Sequence, residues 1–406
     1  MNAVADKNPT FSQLIAHSIR ENIRQYTMVF ALLVIWAIFA VLTDGIFLSA
    51  RNLSNLFVQT STTAVLALGM VLVIVTGHID LSVGSTMGFC GAVAALLMIK
   101  LGWGPVPAIA ATVAVGRLIG AWHGYWIALR KVPAFIVTLA SMLAFRGAII
   151  GVTDGQTLGL EMVPDIDTAE AFKAIGQGYL PTFIPAEEGM VHDSSLAFAL
   201  VCILAFALFT WRRRKVRLKH RFQVLPLHLE LARLIVIAGA MAAFFGIMVG
   251  YLGIPYAIVL VIILAILFTF LAEQTVFGRH LYAIGGNAEA ARFSGINIQR
   301  NTLGLFMLTG ALVAVAGILY TARLNAATTS AGQNAELDAI AAAVIGGTSL
   351  MGGEGTILGA IIGALVMASL DNGMSLMNMD ITYQYVIKGL ILLSAVWVDI
   401  ATRKQA

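Results

Sequence analysis

Long apolar runs, each broken by a short polar segment, constrain this chain more than any motif in it. They begin at Thr27 and recur to Ile400. A run of about 20 apolar residues is what a helix needs to cross a hydrocarbon layer of roughly 30 Å. Lipid offers no partner to backbone N–H and C=O groups, so such runs cross it as helices. Composition agrees: 59% of the 406 residues are hydrophobic and 11% are charged. Soluble domains carry about 25% charged residues. The pattern predicts an all-α polytopic membrane protein of about 12 transmembrane helices, forming a single transmembrane domain over residues 1–406.

Charge orients the spans, because Lys and Arg are held on the cytoplasmic side. Residues 1–26, with Lys7, Arg20 and Arg24, read as a cytoplasmic segment ahead of a first span at 27–43. Further spans are expected at 56–76, up to 99, at 105–128, 133–152, 195–211, 233–252, 254–272, 301–322 and 384–400. Residues 337–380 either cross or re-enter. Arg130 and Lys131 mark an inner end. Residues 153–194 carry eight acids against the single Lys173 and read as a periplasmic loop. Residues 212–232 open with the basic run Arg212–Arg221 and read as a cytoplasmic loop, as do residues 273–300. Arg323–Asp338 is expected as an outer loop, and Asp399, Arg403 and Lys404 as a cytoplasmic end.

Two glycine-rich breaks interrupt the apolar pattern. The first is Gly77–Ser85, which carries Asp80 between long apolar stretches. A carboxylate there must be paired or line a wet cavity, or accept from the backbone at the start of the next helix. The second is Ile345–Thr356, with five glycines. Each glycine costs about 1 kcal/mol relative to alanine in a helix, so a broken helix is expected. Gly77, Leu81 and Gly84 repeat the spacing of Gly346, Leu350 and Gly353, and transporters are often built from repeated halves with breaks at matching places. Asp80, Ser82 and Ser85 in the first break, with Asn372 and Asn378 beyond the second, are polar candidates for the substrate path. Gly116, Gly120 and Gly124, like Gly355, Gly359 and Gly363, recur every fourth residue and read as grooves for close helix packing. Arg117 and His123 lie in the first of these spans and are expected to face the bundle. Lys388 lies inside the last span.

No catalytic or nucleotide-binding pattern is visible. The chain has no Gly-x-x-x-x-Gly-Lys-Ser/Thr and no Gly-Lys pair at all. Cys90 and Cys202 sit inside apolar runs as buried thiols. A membrane enzyme is not expected, and no cofactor or metal is assigned to this chain.

The stretch Gly278–Ile296 is unlike its flanks. Glu289-Ala290-Ala291 followed by Gly295 reads as a short helix ended by a glycine. EAA-x-x-x-G in an inner loop resembles the coupling motif of ABC importer permeases. Joined to the preceding GRHLYAIGGN, to IDLSVGS, and to the C-terminal ASLDNGMS and IKGLILLSAVWVDI, it resembles the permeases of the ribose, galactose and xylose importers, the xylose type above all. The fuller motif continues with a spaced Ile-x-Leu-Pro, which here reads Leu305-Phe-Met-Leu308 without the proline.

The resemblance implies a ten-helix core with a pair of spans inserted around 195–252, working as a homodimer. It implies separate ATP-binding subunits that carry ATP and Mg, and a soluble sugar-binding protein outside. Gly285, Gly286, Asn287, Glu289, Ala290, Ala291 and Gly295 would couple this chain to the ATPase. The cargo would be a monosaccharide, a pentose such as xylose. Two rivals stand beside this. One is an ion-coupled secondary sugar transporter using Asp80. The other is an ABC permease for branched-chain amino acids.

Overall fold

The structure, a computed structural model, describes residues 23–184, 191–220, 222, 224 and 226–403. Lys7, Arg20, Glu187, Glu188, Arg221 and Lys404, which carry part of the expected charge pattern, lie outside the described residues.

Fifteen α-helices make up the described chain. They are α1 (Ile23–Leu42), α2 (Ala50–Val75), α3 (Val83–Leu101), α4 (Pro105–Gly124), α5 (Ala134–Thr153) and α6 (Ile166–Gln177). Next come α7 (Asp193–Lys219), α8 (Leu227–Val249), α9 (Tyr256–Gln274), α10 (Val276–Gly286) and α11 (Ala288–Phe293). The last four are α12 (Ile298–Leu324), α13 (Ala335–Ile345), α14 (Ile357–Leu376) and α15 (Ile381–Arg403). Among the described residues nine helices are long and apolar enough to cross a membrane. Two shorter apolar segments, Thr27–Leu42 and Ile381–Trp397, bring the number to eleven, against the twelve or so expected.

Burial sorts these helices. From Ala64 to Val75 every residue of α2 is buried. A helix apolar on all sides must be enclosed by others, and α2 is packed by α9, α12, α13 and α14. The second axis is α12, which lies along α3 and α4. Its contact with α4 uses the expected groove: side chains at Gly116, Gly120 and Gly124 would strike Gly310, Phe306 and Leu303 of α12. The α13–α14 hairpin is closed in the same way, by Gly359 against Gly346 and Gly363 against Ala342.

Four expectations are corrected. First, the α7 helix does not stop at residue 211 but continues through the basic run to Lys219. Its 27 residues span about 40 Å, longer than the hydrocarbon layer. Second, the acidic loop is structured. It holds α6 and the strand β1 (Leu158–Gly159), which pairs antiparallel with β2 (Ala326–Ala327). The Gln177 amide donates to the carbonyls of Ala322 (3.3 Å) and Arg323 (2.9 Å), and Leu160 N–H donates to Asn325 O (2.9 Å). The orphan carbonyls at the end of α12 are thus satisfied by the loop. Third, the outer loop after Arg323 is not all solvated: Ala331, Gly332 and Glu336 are buried against α3. Fourth, Arg117 is exposed while His123 is buried. Cys90 is buried as expected, and Cys202 is half-buried.

Candidate functional site

The segment after α9 is built by local capping. Thr275 accepts from Gly278 N–H (3.1 Å) and starts α10. A side chain at Gly278 would collide with the carbonyls of Leu271 and Ala272, so only glycine permits this sharp turn. Asn287 ends α10 in extended conformation, and its Oδ1 accepts from Ala290 N–H (2.9 Å), which opens α11. Gly295, at φ +82°, closes α11 as Ile296 N–H returns to Ala291 O (3.1 Å). That left-handed conformation suits glycine just past a helix end. Ala291 faces inward at 4% exposure. Glu289 and Ala290 are exposed, as is Phe293 at 79%, with the Arg292 guanidinium 5.4 Å from its ring centroid. The result is a short helical knob with one anchored side and one free side.

The knob is tied to both glycine breaks. Gly353 N–H, in the second break, donates to Val75 O at the end of α2, just ahead of the first (2.8 Å). Gly285 of α10 lies against the same carbonyl so closely that a Cβ there would overlap it. The Tyr282 hydroxyl donates to Gly355 O (2.7 Å). Burial, and secondarily the charge of Glu273, push the Tyr282 phenol up to about 12, so it remains a donor at any physiological pH. Three segments distant in sequence therefore meet at one backbone junction.

A polar cavity of about 330 Å³ lies further along the bundle, between α2, α12, α13 and α14. Gln59, Thr62 and Leu66 of α2 line it, together with Tyr320, Arg323, Asp338, Asp371 and Asn372. Leu66 and Val75 are nine positions apart on α2, so the cavity begins about 14 Å from the junction. Between the two, α3 meets the 331–336 segment. Gly332 and Met87 line the cavity, while Gly84 packs against Gly332 O and the Glu336 carboxylate. Arg146 fixes this segment by donating to Ala331 O (2.8 Å) and Gly332 O (2.7 Å).

The path candidates are divided by this arrangement. Asp80 is buried, and its Oδ1 accepts from Ser82 N–H (2.8 Å) and Ser82 Oγ (2.6 Å). It orders the turn that leads into α3, two residues along, as a backbone-accepting carboxylate does. Ser85 is buried and donates to Ser82 O (3.0 Å). These three lie at the start of α3, on the junction side of the cavity. Asn372 lines the cavity but exchanges amide hydrogen bonds with Asn52 (2.8 and 3.1 Å). Asn378 is exposed in the turn after α14, at φ +52°. Tyr282 lies inside GRHLYAIGGN and Phe293 inside EAA-x-x-x-G, where nothing local singles them out, and Arg323 and Asp338 carry no local signal.

Residues 52–215 and 232–396 match the family described as branched-chain amino acid transport system / permease component. The xylose transport system permease protein of Haemophilus influenzae is 46% identical over 95% of this chain and 98% of its own length. That of Escherichia coli K12 is 46% identical over 95% and 94%. The ribose import permease protein of Escherichia coli K12 is 35% identical over 91% of each. No solved structure matches the chain significantly. Identity at this level across nearly the whole chain, with apolar helices throughout, places the protein among multi-pass transport permeases: it belongs to the branched-chain amino acid transport system / permease component family.

Proposed function

We propose that this chain is the translocating subunit of an ATP-driven importer of a pentose such as xylose. The ATP and Mg sit on separate ATP-binding subunits, and a soluble binding protein delivers the sugar from outside. The observation that carries this reading is the exposed α11 knob joined through Gly285 and Tyr282 to both helix breaks. A partner that pushes the knob displaces the end of α2 and the 346–356 break together. Similarity favours the sugar: identity is 46% to xylose permeases and 35% to a ribose permease.

In this reading Glu289, Ala290 and Ala291 form the docking turn, Asn287 and Gly295 its two ends, and Gly285 and Gly286 its hinge to the bundle. Asn372 and the cavity around it hold the sugar, which then passes the seam near Asp80, Ser82 and Ser85. Asn378 marks the outer rim. The chain contributes twelve membrane segments, counting the half-length α13. Five in each half (α1–α5, and α9 with α12–α15) make a repeated core, and α7–α8 is the added pair. The termini, the basic 212–232 stretch and 273–300 face the cytoplasm, 153–194 faces the periplasm, and two copies assemble.

Uptake of labelled xylose, ribose and leucine in a deletion strain, with and without the ATP-binding subunit, tests the proposal. Loss of xylose uptake in both deletions is expected. Leucine loss instead would favour an amino-acid permease, and uptake that survives without the ATPase would favour an ion-coupled carrier.

A further inference from the structure

The cavity carries a charge arrangement that polar packing alone does not require. Asp338 of α13 and Asp371 of α14 line it, and both reach back to one cation, Lys388 of α15. Lys388 Nζ lies 3.1 and 3.2 Å from the two Asp338 oxygens and 2.7 Å from Asp371 Oδ1. Arg323 also lines the cavity, with a guanidinium whose Nε is buried without a hydrogen-bond partner among the described residues. The guanidinium carbon lies 5.7 Å from the ring centroid of Tyr320, which lines the cavity too.

A buried donor left unmade is costly, and two carboxylates sharing a low-dielectric wall repel unless a cation lies behind them. The cavity therefore offers charged acceptors whose charge is already balanced, together with a charged donor. Summed over Asp338, Asp371, Lys388 and Arg323 the set carries +2 and −2, so it gives no net pull on an ion. A neutral polyol uses such a site fully. Its hydroxyls donate to the carboxylates and accept from the guanidinium, in charge-assisted bonds about twice as strong as neutral ones.

We infer that Asp338, Asp371 and Arg323 are the specificity-determining contacts for the sugar inside the permease, and that Lys388 is a positioning residue that holds the two carboxylates. This deepens the pentose-importer reading and rests on it. Asp371, with one oxygen engaged by Lys388, offers its Oδ2 to a hydroxyl. Arg323 Nε offers the opposing donor.

The test uses the full chain in proteoliposomes, with Cys202→Ala to remove the half-buried thiol and Ser375→Cys as a reporter in the cavity wall. A small thiol reagent labels the reporter with and without 100-fold graded xylose. Xylose is expected to slow labelling several-fold, and Asp371→Asn, Asp338→Asn or Arg323→Gln to abolish that protection. Lys388→Met should abolish it too, and Lys388→Arg should restore it. Labelling unaffected by xylose in an assembly that still imports xylose would overturn the inference and leave the importer reading standing. So would protection that persists in all three contact variants. If no xylose is imported at all, with ATP and both partners present, it is the importer reading that fails.

Discussion

Gly285→Ala is the sharpest test of the junction. The new Cβ would sit 2.8 Å from Gly353 N and closer still to Val75 O. Carbon–oxygen contacts in proteins settle at about 3.3–3.6 Å. The backbones of α10 and α2 must therefore separate by well over an ångström, and the methyl intrudes where Gly353 N–H meets Val75 O at 2.8 Å. Losing that bond leaves buried groups unsatisfied, at a cost of about 1–3 kcal/mol. Tyr282→Phe is the milder companion. It removes only the hydroxyl that donates to Gly355 O, worth about 0.5–1.5 kcal/mol, and keeps the ring. Reconstituted with the ATPase and the binding protein, both variants should hydrolyse ATP at near-normal rates while importing several-fold less xylose per ATP. Gly285→Ala should be the worse of the two. The reasoning is refuted if the xylose-to-ATP ratio is unchanged in both, with normal assembly in detergent.

Other outcomes follow from the same geometry. Gly295→Val places a branched side chain at φ +82°, at about 1–2 kcal/mol; it should reduce binding of the ATPase without lowering the melting temperature of the isolated permease by more than a few degrees. Gly84→Ala puts a methyl into Gly332 O and the Glu336 carboxylate; it should wedge the seam below the cavity and raise passive sugar leak, measured in proteoliposomes without ATP. Asp165 caps α6 and is held below the usual carboxylate range by hydrogen bonds from the Thr168 hydroxyl and amide. That stabilisation is complete above about pH 4, the unfolded value, and is lost as pH falls through the lower folded-state value. Protection of the α6 amides, taken relative to their intrinsic exchange rate at each pH, should therefore fall only on acidification below that range, and Thr168→Val should move the onset upward.

The apolar spans were legible because lipid and a helical bundle demand the same thing of a sequence: uninterrupted apolar length. The knob was legible because a capping residue, a pair of alanines and a terminal glycine are all local signals. His123 faces the bundle as expected, and Arg117 shows where face assignment slipped. The glycines at 116, 120 and 124 fix the side of α4 that meets α12; Arg117, one residue on, is turned about 100° away. The stripe itself held that answer. The helix in 153–194 was missed because its twelve residues are polar overall, bury only Ala169, Phe172 and Gly176, and take their fixed place from the end of α12. Of the cavity only Asn372 was legible. Its walls come from Gln59, Arg323, Asp338 and Asp371, spread over most of the chain. Nothing in the run Arg323–Asp338 distinguishes a packed, inward-turned segment from a solvated loop.

Site-specific cross-linking of the knob bears most directly on the account. Ala290, exposed on α11, replaced by cysteine in a Cys202→Ala background, should cross-link to the ATP-binding subunit in inside-out vesicles, with a yield that changes between nucleotide-free and ATP-bound states. A cysteine there that reacts only with reagents applied from the periplasmic side would contradict the account, as would one that never meets the ATPase while ATP-driven uptake proceeds.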